Sequence, residues 1–242
     1  MKFNLFRRCC LAGAVLSLTV FSGCGAMDEV TKALTGNQNY QYTSSDTISS
    51  GLKQALCIGT ENAVSQTSKE GGYWKNPALK IPLPQDLQKF ADALGGIGLG
   101  AQVEALEQKM NEGAEMAAAS ASPVFVNAIN NMTIYNAKAI LNGEETGATD
   151  FFRDKAYEQL KAQYSPIISK ELEKVGAVSL YNELYQKYIM IPLVPKIDLK
   201  LEDYVTEKAL DGLFIVIAEE EKKIRQDPGA RTTALLKKVF AE

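Results

Sequence analysis

The sequence predicts an all-α fold: a compact multi-helix bundle with one buried helix in its C-terminal third and at most a short extended pair. Three observations predict it. From about residue 46 onward, apolar residues recur at steps of three and four, the spacing of one helix face. The stretches with this spacing are separated by Gly-Gly, single Gly, Ser-Pro or Asp-Pro, residues that stop or restart helices. Strand signals are confined to two short segments, 78–84 and 189–199, and both carry prolines that restrict them to edges or extended loops.

Residues 1–23 are set apart from the fold. Lys2, Arg7 and Arg8 precede the uncharged run CCLAGAVLSLTVF, residues 9 to 21. At 13 residues this run is shorter than the roughly 20 that a membrane-spanning helix needs, and the pattern is that of a signal peptide. It ends Phe21-Ser22-Gly23-Cys24, which resembles the lipobox of bacterial lipoproteins, with Phe21 where leucine is more usual. The resemblance implies a diacylglyceryl group on the Cys24 sulfur, cleavage before Cys24, and a fatty acyl group such as palmitate on the new amino terminus. A thiolate suits the chemistry, because it is the nucleophile alkylated to a thioether, and several acyl chains anchor durably where one is marginal. Gly25 and Ala26 follow, with no aspartate. By resemblance to sorted Gram-negative lipoproteins, this favours the outer membrane. Residues 24–45 are polar and read as a flexible tether, on average roughly 25 Å long and about 70 Å when fully stretched.

Residues 46–242 read as a single helical domain. Asp46 or a neighbouring serine caps a first helix through Leu52, Leu56, Ala63 and Val64, ending near Gly71-Gly72. Leu87, Phe90, Ala91 and Leu94 form a second face, and Val103, Leu106, Met110, Ala114 and Ala117 a third. The end of that third helix, GAEMAAASA, is rich in small residues that let another helix approach closely. Ser122 with Pro123 is a cap followed by proline at the first helical position, leading into Phe125, Ile129 and Met132. Thr133 is placed to cap IYNAKAIL, which Gly143 ends. Phe152, Ala156, Leu160 and Tyr164 form the next face; Ser165-Pro166 kinks or restarts it, and Ile168, Leu172 and Val175 continue to Gly176. Val178, Tyr181, Leu184, Tyr185 and Tyr188 follow. Residues 203–226 contain LFIVIA, apolar on every side, as expected of a buried central helix. Glu219 with Lys223 and Glu221 with Arg225 are four apart in the favourable order. Asp227-Pro228 stops this helix and caps the last one, whose face is Leu235, Leu236, Val239 and Phe240.

The segments LKQALCIGTENAV (52–64), NPALKIPLP (76–84), AKAILNG (137–143), DYVTEKALDGLF (203–214) and IAEEEKKIRQDPGARTTALLKKVF (217–240) resemble a family of bacterial lipoproteins called domain of unknown function 4197. The resemblance extends from about residue 47 to the C-terminus and implies a mostly helical periplasmic domain. It implies no activity, cofactor or catalytic residue.

Composition excludes several chemistries. The chain has no histidine, which removes Cys-His and Ser-His-Asp catalysis and histidine-rich metal sites. No catalytic residue, metal or cofactor is therefore assigned. Residues 24–242 carry 23 basic and 29 acidic side chains, a balance that argues against nucleic acid as a partner and against a polybasic lipid-binding surface. After removal of the leader and lipidation of Cys24, Cys57 is the one remaining thiol. It reads as a small core residue, with a redox or nucleophilic thiol as the sharper alternative.

Three constellations remain. Glu219-Glu220-Glu221, with Asp203, Glu207 and Asp211 upstream, is the one dense carboxylate cluster. It reads as a solvated, salt-bridged helix end, and alternatively as the acid pair of a hydrolase acting on cell-wall glycan. RQDPGARTTALLKK reads as capping, and alternatively as an anion site. Tyr73 and Trp74, in a Gly/Pro-punctuated loop beside Ile81 and Leu83, either cover the core or form an exposed apolar patch for a partner or lipid. The functional expectation is a non-catalytic lipoprotein of the cell envelope. It would be held on the periplasmic side of the outer membrane through Cys24 and bind an envelope protein or an apolar ligand.

Overall fold

Residues 44–241 are described by a computed structural model, and they belong to one compact unit. Cys24, the signal peptide and the tether lie outside the described residues. Among the described residues there are nine α-helices and no strands: α1 Ser45–Thr67, α2 Gln88–Gly96, α3 Gly100–Ala118, α4 Ala121–Asn131, α5 Ala137–Leu141, α6 Gly147–Lys174, α7 Ala177–Ile189, α8 Leu201–Gln226 and α9 Ala234–Val239. Single turns of 3-10 helix at Gln85–Leu87 and Pro228–Ala230 lead into α2 and follow α8.

The longest helices form the frame. Helices α1 and α8 run antiparallel. Gly59 of α1 faces Ile217 of α8, while beyond the end of α1 Tyr73 donates its hydroxyl to the Ala209 carbonyl at 2.8 Å. Helix α6 packs on the other side of α8, where Phe152, Phe125 and Phe214 meet with ring centroids 5.6–6.0 Å apart. Such aromatic contacts add stability beyond the area they bury. Phe214 is 2 % exposed. Ile215, its neighbour in LFIVIA, lies at the surface with Ala218 half-buried, so α8 is a central helix with one open edge rather than one covered on every side. The small residues of α3 act as expected. A Cβ at Gly113 would lie 2.6 Å from Leu172 Cδ2, so α3 and α6 meet at a separation that only glycine permits there.

Local chemistry moves several boundaries from their sequence positions. Ser44 caps α1 through Thr47 N. Helix α4 starts at Ala121, so Ser122 is no cap and Pro123 lies in the first turn, where backbone N–H groups need no helical partner. Thr133 does not cap α5, which starts at Ala137 after a turn at residues 135–136. Pro166 neither restarts nor ends α6, which is continuous from Gly147 to Lys174. Proline removes one bond and costs about 3 kcal/mol in a helix interior, but Tyr164, Ile168 and Leu172 around it are fully buried, and their packing outweighs that cost. Asp227 caps the turn Pro228–Ala230, and Thr233 caps α9.

Neither proline-bearing segment becomes a strand. Ile81 exchanges backbone hydrogen bonds with a side chain: its N–H donates to Asn111 Oδ1 and its carbonyl accepts from Asn111 Nδ2, both at 2.8 Å. Asn111 thus takes the place of a neighbouring strand.

Candidate functional site

The Tyr73-Trp74 loop is held from beneath by two buried polar residues of α3. Glu115, 7 % exposed, accepts from the backbone N–H of Gly71, Tyr73 and Trp74, each at 3.0 Å. One turn earlier, Asn111 holds Ile81. The expected exposed patch is not formed by Tyr73, Ile81 and Leu83, which are 0 %, 1 % and 8 % exposed. They are core because Glu115 and Asn111 pull the loop onto α3. Burial pushes the Tyr73 hydroxyl far above its ordinary range. Trp74 is half-buried, with Lys80 Nζ 4.1 Å from its ring centroid. Cys57 is half-buried and packs against the core, more accessible than a core residue.

The acidic run at the end of α8 divides. Glu219 is exposed. Glu220 accepts from Asn62 Nδ2 at 2.6 Å and pairs with Lys223, the lysine expected on Glu219. Glu221 is not solvated at all. At 1 % exposure it accepts from Ala148 N, Thr149 N and Thr149 Oγ1 at 2.9, 2.7 and 2.6 Å, and pairs with Arg225. A carboxylate at the N-terminus of α6 meets unpaired N–H groups and the positive end of the helix dipole. Arg225 in turn donates to the Leu141 and Ile140 carbonyls that end α5. Arg231, considered for an anion, spends its guanidinium on the Ile224 and Arg225 carbonyls.

A concave surface lined by charged side chains lies between α6 and α8. It is an open hollow of about 670 Å³ lined by Asp150, Arg153, Asp154, Tyr157, Glu207 and Asp211, among others. The α6 members recur at steps of three and four on the face opposite Phe152, Ala156 and Leu160. Of the carboxylates in the sequence cluster, Glu207 and Asp211 face this hollow; Glu220 does not. Each is committed to a cation: Lys161 binds Glu207, and Arg153 and Lys208 hold Asp211. The Glu207 hydrogen bond raises Lys161 above its ordinary range. Arg153 also lies over Tyr157 and Phe214, 5.4 and 5.5 Å from their centroids. Burial, then the charge of Asp211, raises the Tyr157 hydroxyl. The α6 half of this surface escaped sequence reasoning, because charges at these spacings look the same on any solvated helix face.

Residues 42–241 match the family described as Protein of unknown function (DUF4197). The chain belongs to this family. The match spans the whole described DUF4197 body, consistent with the segments that carried the resemblance. Comparisons with curated proteins and with solved structures returned no match. Among the described residues, no group of three or more Cys, Asp or Glu side chains is placed to hold a metal ion, and no helix is long and apolar enough to cross a membrane.

Proposed function

We propose that this DUF4197 chain is a non-catalytic lipoprotein of the cell envelope. It is acylated at Cys24, held at the periplasmic face of the outer membrane, and binds an envelope protein partner through the hollow between α6 and α8. The anchoring half rests on the n-region, the short apolar run and the terminal Cys24. The binding half rests on one observation: the hollow of about 670 Å³ is lined by charged side chains with Tyr157. Paired charges around an aromatic suit a polar protein surface, where complementary potentials set specificity and encounter rate. They suit an apolar ligand poorly, since apolar ligands take pockets lined mainly by hydrophobic side chains.

Two experiments test these halves separately. Metabolic labelling with a fatty acid should mark the native chain and not Cys24→Ser; label retained by the serine variant refutes the anchor. Chemical crosslinking in intact envelopes should give an adduct that Arg153→Glu with Lys161→Glu abolishes. An unchanged adduct refutes the hollow as the binding surface.

A second reading, a carboxylate hydrolase acting on cell-wall glycan, is favoured by the position of Glu207 and Asp211 on the hollow. They are four apart on α8, and Cβ atoms at that spacing are about 5–6 Å apart, compatible with a carboxylate pair. Release of glycan fragments by the native chain, lost in Glu207→Gln and in Asp211→Asn, would replace the binding reading with this one.

A further inference from the structure

Helix α2 is fastened to the body differently from its neighbours. On its N-terminal side the chain is pinned as far as Pro82. Asn111 holds both backbone groups of Ile81, and the Tyr204 hydroxyl donates to the Pro82 carbonyl at 2.8 Å. Beyond that point the polar pins stop. The Gln88 side chain donates to the Leu83 carbonyl, within the same segment. Among the described residues, no side-chain hydrogen bond or ion pair ties α2 to α3 or α7. Its attachment is apolar. Leu87 in the preceding turn, Phe90 and Leu94 are fully buried, and the Phe90 ring lies 6.1 and 5.2 Å from those of Tyr181 and Tyr188 on α7. Burial of this kind is non-directional and lacks the paired polar groups that fasten Glu221 to α6.

The rims of α2 are open. On one side a hollow of about 330 Å³ separates it from α3, lined by Leu83, Gln88, Ala91, Val103 and Glu104 among others. On the other, a hollow of about 260 Å³ lies between the entry to α2 and the loop before α8, lined by Gln85, Lys89 and residues 195–198. Close packing, which resists movement, is therefore confined to the inner face.

The joint to α3 is Gly95-Gly96-Ile97-Gly98-Leu99-Gly100. Gly98 is required by its φ of +84°. Gly95 and Gly96 are not required by the closed arrangement. They lie in the last turn of α2, neither has a left-handed φ, and a Cβ at either would meet no atom within 4 Å. This sets them apart from Gly51, Gly113 and Gly212, where a Cβ would lie 2.6 Å from Val239, Leu172 and Tyr73. Glycine in a helix costs stability relative to alanine. With no close approach to permit, what Gly95 and Gly96 supply is backbone freedom.

We infer that α2 is a lid. It swings as a helix about two joints, residues 83–84 and 95–100, and uncovers the face of α7 that carries Tyr181, Leu184 and Tyr188. Leu184 stands between the two tyrosines at helical spacing and is fully buried. The floor keeps its own support when the lid is open, because the Tyr188 hydroxyl donates to the Pro195 carbonyl at 2.9 Å, a bond in which α2 takes no part. The uncovered trough is apolar and aromatic, unlike the charged hollow between α6 and α8. The lid depends neither on that hollow nor on the anchor at Cys24.

The test reads a thiol beneath the lid. In the full chain with Cys57→Ser, Leu184→Cys places one there, and site-resolved mass spectrometry follows its reaction with a maleimide apart from any reaction at Cys24. Labelling should run roughly tenfold or more above the rate that global unfolding allows, and should be nearly independent of urea below the unfolding transition, as for a local opening. Gly95→Ala with Gly96→Ala should slow it roughly tenfold, since alanine suits the closed helix and restricts the open chain. Hydrogen exchange separates a swing from melting. The amides of residues 92–95 should be more strongly protected than the thiol, because the helix keeps its own hydrogen bonds as it moves. If Leu184→Cys destabilises the fold too far, Val103→Cys, at the α3 rim and close in size to the residue replaced, carries the same measurement. Labelling no faster than global unfolding, labelling unchanged by the two alanines, or equal protection of thiol and α2 amides overturns the lid.

Discussion

Glu221→Ala probes a buried ion pair that joins three helices. The carboxylate is 1 % exposed and accepts two backbone N–H groups, one hydroxyl and the Arg225 guanidinium. Alanine leaves the N–H groups of Ala148 and Thr149 without their acceptor and Arg225 without its counter-charge. Breaking a buried pair by removing one partner costs about 3–5 kcal/mol. For a body of this size each kcal/mol lowers Tm by about 2–4 °C, so a fall of roughly 6–20 °C is expected. Arg225→Met should cost less, about 2–3 kcal/mol, in the range of a lost charge-assisted hydrogen bond. It removes the bonds to Leu141 and Ile140, while Glu221 keeps the N-terminus of α6. Urea denaturation of both single variants and the double variant gives the two costs and a coupling of about 0.5–3 kcal/mol. A cost below about 1 kcal/mol for Glu221→Ala, or a larger cost for Arg225→Met, would refute the view that the carboxylate fastens α8 to α6.

Phe214→Ala should cost about 3–5 kcal/mol, since it empties the centre of the Phe125–Phe152–Phe214 cluster; an unchanged melting curve would deny α8 its central place. Tyr164→Phe should be neutral or stabilising by about 1 kcal/mol, because the Tyr164 hydroxyl is buried with no hydrogen-bond partner among the described residues, whereas Tyr73→Phe should destabilise by a similar amount through loss of its bond to Ala209. Burial raises both hydroxyls in the folded state, so their contribution is complete below pH 10, where an unfolded tyrosine ionises, and declines above it by about 1.4 kcal/mol per pH unit for each. Stability measured from pH 8 to 11 should fall above pH 10 less steeply in Tyr73→Phe; an unchanged slope would show that Tyr73 is not the group responsible. Trp74→Ala should leave the fold within about 1 kcal/mol of wild type, because Glu115 holds the loop through backbone N–H groups rather than through that ring; a loss of several kcal/mol by urea denaturation would make Trp74 a core residue.

Helix type and position were legible because they depend on local spacing. Val103, Leu106, Met110, Ala114 and Ala117 mark one face whatever lies opposite, and all five are buried. The small residues of α3 announced a close approach, and Gly113 against Leu172 is where it occurs. Capping was less legible, because Ser122 and Thr133 look like caps to a local rule, yet Ser122 lies inside α4 and Thr133 stands four residues before α5.

What the sequence by itself determined is the all-helical architecture, most helix faces, the place of α8 at the centre, and family membership through long contiguous segments. These follow from periodicity, which each helix carries within itself. The tertiary structure alone decided the fate of the polar residues. Glu115 and Asn111 read as ordinary members of an amphipathic helix, yet they are buried because a loop 30 to 44 positions away in sequence brings its backbone N–H groups to them. Glu221 sits in a run of three glutamates, and only the arrival of the α6 N-terminus separates it from Glu219 and Glu220. An acidic side chain enters a core when distant donors meet it there, and no local pattern encodes where those donors will be.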